Sequence, residues 1–359
     1  MKIIGLLFHS LVATANAVII LLFVLAAYSD RIAPGTSLFF SYLGLGFPIL
    51  FALNCCFLLY WLLMGKWKML VVVVLSFAVC WQPLTTYFPL HCAKQEVPEG
   101  ALKVLTYNVM GFGYNDHTKE SPNEIVKYIA DSGADIVCLQ EYQVFPPGSK
   151  LLTSKKLNKA LSMYPYRKVM DNNIAVFSKY PITRSRQIRY ETVANGSAVH
   201  ELQVKGKKLV LINNHLESLK LTTEDKTKYK DFIKSPGSGQ FSDFKGTIEQ
   251  KLGPAFKIRA KQAEAVAAEI RAADDAYIVV CGDFNDTPVS YAHRTIQGPL
   301  IDAFAESGCG MGVSYNQNLF FFRIDHILHS GNIKSYRSTV DKSIRASDHY
   351  PLWTYLVLE

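Results

Sequence analysis

Residues 277–288 read YIVVCGDFNDTP, and the rest of the chain is organised around them. Tyr277 to Cys281 form a continuous apolar run rich in β-branched side chains, the pattern of a strand buried on both faces. The run stops at Gly282 and delivers Asp283, Phe284 and Asn285 to the strand end, with Pro288 closing the turn. Side chains alternate along an extended chain, so Asp283 and Asn285 are expected to point one way and Phe284 into the core. A carboxylate and an amide at the mouth of a core strand can grip a water, a metal or a phosphate. Taken alone, an ordinary Asp/Asn turn accounts for the stretch equally well.

At 359 residues the chain has room for one large domain and a smaller unit. The apolar excess, 49% of all residues, is concentrated at the start. No Asp, Glu, Lys or Arg occurs from Ile3 to Ser29, from Thr36 to Met64, or from Met69 to Leu90. Each run exceeds the ~20 residues that cross a bilayer, and each is apolar all round. Three transmembrane helices are therefore predicted within residues 1–95, ahead of a domain spanning 96–359. A cleavable signal peptide is excluded because its apolar stretch would be too long and two more follow. Lys2, Lys66 and Lys68 flank the spans so that the amino terminus and the 65–68 link fall in the cytoplasm. Everything after about His91 then lies outside, with Trp61, Trp67, Trp81, Tyr60 and Tyr87 expected at the membrane interfaces.

Cysteine is sparse, with seven residues and no zinc spacing. Cys92 and Cys309 are free to pair outside the cytoplasm, but nothing in the sequence requires it. These bulk features suggest a bacterial inner-membrane protein with its large domain facing the periplasm. The net charge of +8 is shared evenly between the two regions, so the outer domain is only mildly basic. That neither demands nor excludes a polyanionic partner.

Strands are predicted at 102–107, 134–139, 174–177, 198–204, 208–212, 277–281, 320–328 and 352–358, and helices at 122–132, 155–164 and 255–273. Their alternation suggests α+β layers around a large sheet core. Residues 217–254 are lysine-rich with Pro236-Gly-Ser-Gly239 in the middle, which reads as a solvated insertion or a basic lid. The informative feature is where the polar residues fall. Asn108, Glu141, His215, Asp283 with Asn285, Asp325, and Asp348 with His349 all lie at or near predicted strand ends. A surface would scatter them; a cleft at one sheet edge would gather them. Carboxylate and amide oxygens at Glu141 and Asn108 suit Mg²⁺ or Mn²⁺ better than zinc. Asp325 sits between Ile324 and Ile327, where a carboxylate needs a partner. His326 points to the opposite face and reads as structural, and a lone His215 is more often structural than catalytic.

LTYNVMGFG, LQE, NNHLES, GDFNDTP, RIDHIL and SDHYP, in that order, resemble the motif series of the endonuclease/exonuclease/phosphatase superfamily, the deoxyribonuclease I-like fold. The resemblance covers roughly residues 101–359 and implies a four-layer αββα sandwich with the site at one edge. It further implies phosphoester cleavage by in-line attack of water, with a divalent metal. By the same resemblance Glu141, Asn108 and Asp348 would serve the metal, and Asp283 and Asn285 the attacking water. His349, oriented by Asp325, and His215 would face the phosphate. Tyr142, Tyr315 and Arg323 are candidates for substrate contact. The motifs leave the substrate open. A membrane-anchored hydrolase of phosphodiesters or phosphomonoesters, with lipid headgroups among its substrates, is the first expectation. A nuclease on external DNA or RNA is the second, and an inactive membrane scaffold the third. Beyond the substrate and the bilayer, no obligate protein partner is evident.

Overall fold

In a computed structural model, residues 2–359 are described apart from 94, 193–194, 220–221, 223, 226, 228–245, 247, 274–275, 316 and 318–320. The basic insertion expected at 217–254 lies for the most part outside the described residues, and so does its reading as a lid.

The N-terminal region is helical throughout: Lys2–Ala27, Leu38–Leu45, Phe47–Leu63, Trp67–Val79 and Trp81–Tyr87. One stretch, Leu7–Ala27, is long and apolar enough on its own to cross a membrane. The other two expected spans are not straight. Leu38–Leu45 and Phe47–Leu63 meet at 57°, and Trp67–Val79 and Trp81–Tyr87 at 67°, so each pair reaches spanning length only when taken as one bent element. Prolines explain both bends. Pro48 and Pro83 lack the N–H that would continue the helical ladder. The Val79 carbonyl, four residues before Pro83, accepts instead from the Tyr28 hydroxyl at 2.5 Å. Phe23, Phe47, Phe51 and Phe77 stack where the three elements converge. Trp61, expected at an interface, is buried and donates to Asn16 Oδ1 at 2.8 Å, whereas Trp67 and Trp81 are exposed.

Among the described residues, twelve strands follow. In chain order they are β1 (Leu102–Asn108), β2 (Ile136–Gln140), β3 (Tyr166–Met170), β4 (Ile174–Ser178), β5 (Ile182–Ile188) and β6 (Ser197–Val204). Then come β7 (Lys207–His215), β8 (Tyr277–Asp283), β9 (Ile301–Asp302), β10 (Asp325–His329), β11 (Ile333–Val340) and β12 (Leu352–Leu358). They form two six-stranded mixed sheets, ordered β11-β12-β1-β2-β4-β3 and β5-β6-β7-β8-β10-β9. Alternate residues of the central strands build the layer between the sheets, among them Val104, Ile136, Cys138, Leu209, Leu211, Val279 and Cys281. The opposite faces are covered by helices. Glu124–Asp131 and Ser154–Ala160 pack on the first sheet, and Gly253–Ala272 on the second. On β8, Val279 and Cys281 face the partner sheet while Ile278 and Val280 face the helix, as an all-apolar strand requires. Burying each such side chain contributes roughly 1.5–3 kcal/mol.

Two parallel pairs set the position of the site. β1 with β2 brings Asn108 beside Gln140, and β7 with β8 brings His215 beside Asp283. β10 runs antiparallel to β8 and starts with Asp325 opposite Asp283. Gln140 donates across the sheets to Asn213 Oδ1 at 2.7 Å, and Asn213 donates to the Leu139 and Ala175 carbonyls at 3.2 Å. These amides lock both sheets together just behind the polar edge.

The helical region is joined to the sandwich by a Cys92–Cys309 disulfide, by the bridge Leu90–Cys309, and by packing of Val289 among Phe23, Phe47, Leu84 and Tyr87.

Candidate active site

Gly282 determines how the focal strand ends. Its φ is +129°, and a Cβ there would lie 2.0 Å from the Asn214 carbonyl oxygen on β7. No side chain can be accommodated, so β7 and β8 approach closely at their ends. Asp283 is then buried, and Phe284 packs fully inward as expected. The strict alternation does not continue to Asn285. Its φ is +52°, and its backbone N–H donates to Asp283 Oδ1 at 2.8 Å, closing an Asx turn. The Asn285 side chain donates to the Leu216 carbonyl at 3.0 Å.

Around Asp283 the expected residues assemble. Asn108 donates from Nδ2 to both Glu141 Oε1, at 3.0 Å, and Asp283 Oδ2, at 3.1 Å. His349 Nε2 lies 3.6 Å from Asp283 Oδ2, and His349 Nδ1 lies 2.8 Å from Asp325 Oδ2. His215 Nε2 is 3.7 Å from Asp283 Oδ2 and 3.9 Å from Glu141 Oε1. Ser347 holds the SDHYP segment in place by donating to the Asn108 carbonyl at 2.7 Å. Tyr315 bridges to His349, with ring centroids 5.0 Å apart.

Electrostatics separates these groups. Burial pushes the Asp283 carboxyl up to about 6, against the pull of His349. Burial alone would lower the His349 imidazolium, but the Asp325 and Asp283 carboxylates outweigh it and raise it to about 10. His215 is lowered by burial, with Asp283 opposing, so it is a neutral imidazole beside a charged one.

Asp283, Asn285, His215, Glu141, Asp348, His349 and Tyr315 all line one cavity of about 190 Å³. Asn108 and Asp325 stand directly behind it through the hydrogen bonds above. The orientation of Asn108 differs from a ligand carbonyl. Its Oδ1 accepts from the Met110 N–H at 3.2 Å, so the amide nitrogen is the atom turned to the carboxylates. Arg323 is not brought to the cleft. It is buried, 3.8 Å from Asp302 Oδ2, lies over the Phe304 ring, and donates to the Thr86 carbonyl. An apolar run around an arginine sends it inward to a carboxylate instead of to a substrate. Tyr142 packs in the core with Phe112 and Phe177.

Other cleft residues are not apparent from the motifs. Arg259 lines it although almost fully buried, donating to Asp286 Oδ2 at 3.1 Å and to the Glu217 carbonyl at 2.7 Å. Its one signal in the sequence is its place on the apolar face of its helix, between Phe256 and Ala263. Leu45, Leu252 and Phe256 also line the cavity, and Leu45 belongs to the N-terminal helices.

A family model described as Endonuclease/Exonuclease/phosphatase family matches residues 105–349. The chain belongs to the endonuclease/exonuclease/phosphatase family. A second model, a domain of unknown function (DUF8431), matches residues 9–87. Among solved structures, an endonuclease/exonuclease/phosphatase from Beutenbergia cavernae DSM 12333 is similar at 18% identity, over 72% of each chain, with a TM-score of 0.50. The human Nocturnin catalytic domain with bound sulfate anion is similar at 15% identity, over 72% of this chain and 95% of that one, with a TM-score of 0.51. At such identities the likeness is one of fold. No curated protein matches the chain. The two mixed sheets and their flanking helices are thus the α+β sandwich of this family of phosphoester-cleaving proteins.

Proposed function

We propose that the chain is a membrane-anchored phosphoester hydrolase that depends on Mg²⁺ or Mn²⁺ and cleaves by in-line attack of an activated water. One observation carries the reading. Both sheets deliver acids, amides and imidazoles to one cleft, with Asp283 in reach of Asn108, His215 and His349. A hydrolytic site needs this convergence, and a structural surface does not.

The donors nearest the cleft mouth are oxygens, which fits a hard divalent cation. Glu141, whose side chain is 42% exposed, and Asp348 would hold it, while Asn108 fixes the Glu141 carboxylate through its amide. When bound, such a cation offsets the negative charge that builds on the phosphate oxygens. The remaining roles belong to the chain. Asp283, made more basic by burial, orients the attacking water and accepts its proton. His349, kept cationic by Asp325, donates from Nε2 to a phosphate oxygen. Neutral His215 donates from the other flank of Asp283, and Asn285 helps to fix the water. The Tyr315 ring packs edge to face against His349 and limits its rotation.

The apolar helix Leu7–Ala27 and the two bent pairs support insertion in a bilayer, and the lysine distribution favours an outward-facing sandwich. The Cys92–Cys309 pair suits an oxidising compartment, in keeping with the periplasmic face of a bacterial inner membrane.

The test presents the detergent-purified full chain, with Mg²⁺, Mn²⁺ or a chelator, to an aryl phosphodiester, phospholipids, DNA and RNA. Asp283→Ala and His349→Ala serve as blanks. Metal-dependent hydrolysis abolished in both blanks supports the proposal. Turnover of nucleic acids alone makes the chain an extracytoplasmic nuclease. No turnover and no bound metal leave a membrane scaffold.

A further inference from the structure

The cleft is chemically two-sided, and its apolar part is not made by the sandwich alone. Leu38, Tyr42 and Leu45 are spaced to share one face of the helix Leu38–Leu45. That face packs on the first turn of the helix Gly253–Ala272. The Tyr42 and Phe256 rings are 5.7 Å apart, and a Cβ on Gly253 would lie 3.0 Å from Leu38 Cδ1. Leu45, Leu252 and Phe256 then line the same cavity as Asp283 and His349. An enzyme for small hydrophilic phosphates gains nothing from such a wall beside its charged groups.

The apolar wall also leads to an exposed apolar face of the N-terminal helices. Leu45 is followed by Gly46, where the helix bends by 57° into Phe47–Leu63. That second helix exposes Ile49, Leu53, Leu59 and Leu63, the last at 73%. Side chains of that kind belong in hydrocarbon. The catalytic loop is seated at the same level, since Val289 packs against Phe47 and Phe23. A hydrocarbon chain held at this exposed apolar face would run along Leu45 and Phe256 with its head at Asp283.

We infer that Leu45 of the N-terminal helices completes the apolar side of the substrate site, and that the substrate is a membrane lipid phosphoester. Its phosphate lies at Asp283 and His349, and its hydrocarbon runs along Leu45, Leu252 and Phe256. This rests on the hydrolase reading above and names the substrate class of the same site. Leu45 and Phe256 are positioning residues for the lipid tail, since neither touches the reacting atoms.

The experiment uses the full chain in mixed micelles at fixed surface fraction. It compares phosphatidylglycerol with acyl chains of roughly 6 to 16 carbons, an aryl phosphodiester, and single-stranded DNA. Since the tail is already in micelle hydrocarbon, the gain comes from contact with the wall and not from leaving water, and turnover at fixed surface fraction should rise at least about threefold along the series. Leu45→Gln should lower the ratio of lipid to aryl-ester turnover about tenfold, and Leu45→Met should restore it. Phe256→Leu, a mild change, should lower the ratio in the same direction. Aryl-ester turnover without lipid turnover, or preference for DNA, overturns the inference and leaves the hydrolase reading intact. So does lipid turnover indifferent to chain length and to Leu45. Failure on every phosphoester rejects the hydrolase reading itself.

Discussion

Gly44 approaches Val289 so closely that a Cβ on it would lie 3.0 Å from the Val289 carbonyl oxygen and 2.4 Å from Ser29 Oγ. Val289 follows directly on GDFNDTP, so the loop that ends in the catalytic candidates is seated in the N-terminal helices. The two regions are not a tether and a free globule. Arg294 with Asp30, at 3.4 Å, and Arg323 with the Thr86 carbonyl add polar contacts across the same junction.

Asp325→Asn keeps the shape of the side chain but removes the charge that holds His349 cationic. The expected result is a fall in kcat of about 10² to 10³ with little change in KM, in line with the usual share of a positioned proton donor. Steady-state kinetics on an aryl phosphodiester measure it. A loss smaller than about threefold would remove His349 from the chemistry.

Glu141→Gln should act on metal use and leave folding alone. The side chain is partly exposed and sits at the cleft mouth, so thermal unfolding in chelator should match the parent protein. The Mg²⁺ concentration for half-maximal activity should rise at least about tenfold. Titration of activity against Mg²⁺ and Mn²⁺ checks this. Equal titrations for both proteins would place the cation elsewhere.

Gly282→Ala should abolish the folded state. The added Cβ meets backbone at 2.0 Å, and φ of +129° is closed to side-chain-bearing residues. The cost exceeds ~4 kcal/mol, a large fraction of the stability of a domain. Recovery of soluble protein and its near-ultraviolet circular dichroism report the outcome, and a folded Gly282→Ala variant would contradict the geometry.

His200 gives a pH dependence of stability remote from the cleft. Burial, helped by Lys168, lowers it from 6.5 to about 4, so the folded chain keeps it neutral where the unfolded chain is protonated. Its contribution is complete above about pH 6.5 and shrinks as the pH falls toward 4, by at most ~1.4 kcal/mol per unit. Unfolding of the parent and of His200→Gln between about pH 7.5 and 5 should give curves that converge on acidification. Parallel curves would show that His200 does not titrate differently in the folded state.

Much of this architecture is legible in the sequence because the central strands carry unbroken apolar runs. β1, β2, β4, β7 and β8 are buried on both faces and β12 on one, and hydropathy finds them. The strands that escape such a reading are β3, β5, β9 and β11, and all four are sheet edges. Thr183, Arg184 and Arg186 on β5 and Lys334 and Arg337 on β11 protect exposed edges with charge and polarity, which hides them from a search for apolar runs. Within the cleft, Asp283, Asn285, Asp325 and His349 are visible because a polar residue at the end of an apolar run is conspicuous. Arg259 is not, since an arginine within a helix rich in Ala and Lys looks like surface. Leu45 leaves no local trace at all, because its role depends on how two distant segments pack.

The Cys92–Cys309 bridge closes a loop whose ends are 217 residues apart and which encloses β1 to β9. Hydrolysis of the peptide backbone near Glu99 would therefore leave the two pieces joined. The severed halves would still travel as one band on a non-reducing gel and part only after thiol treatment. A protease could nick this protein at its neck without parting the two regions, and a reductant alone would leave it in one piece.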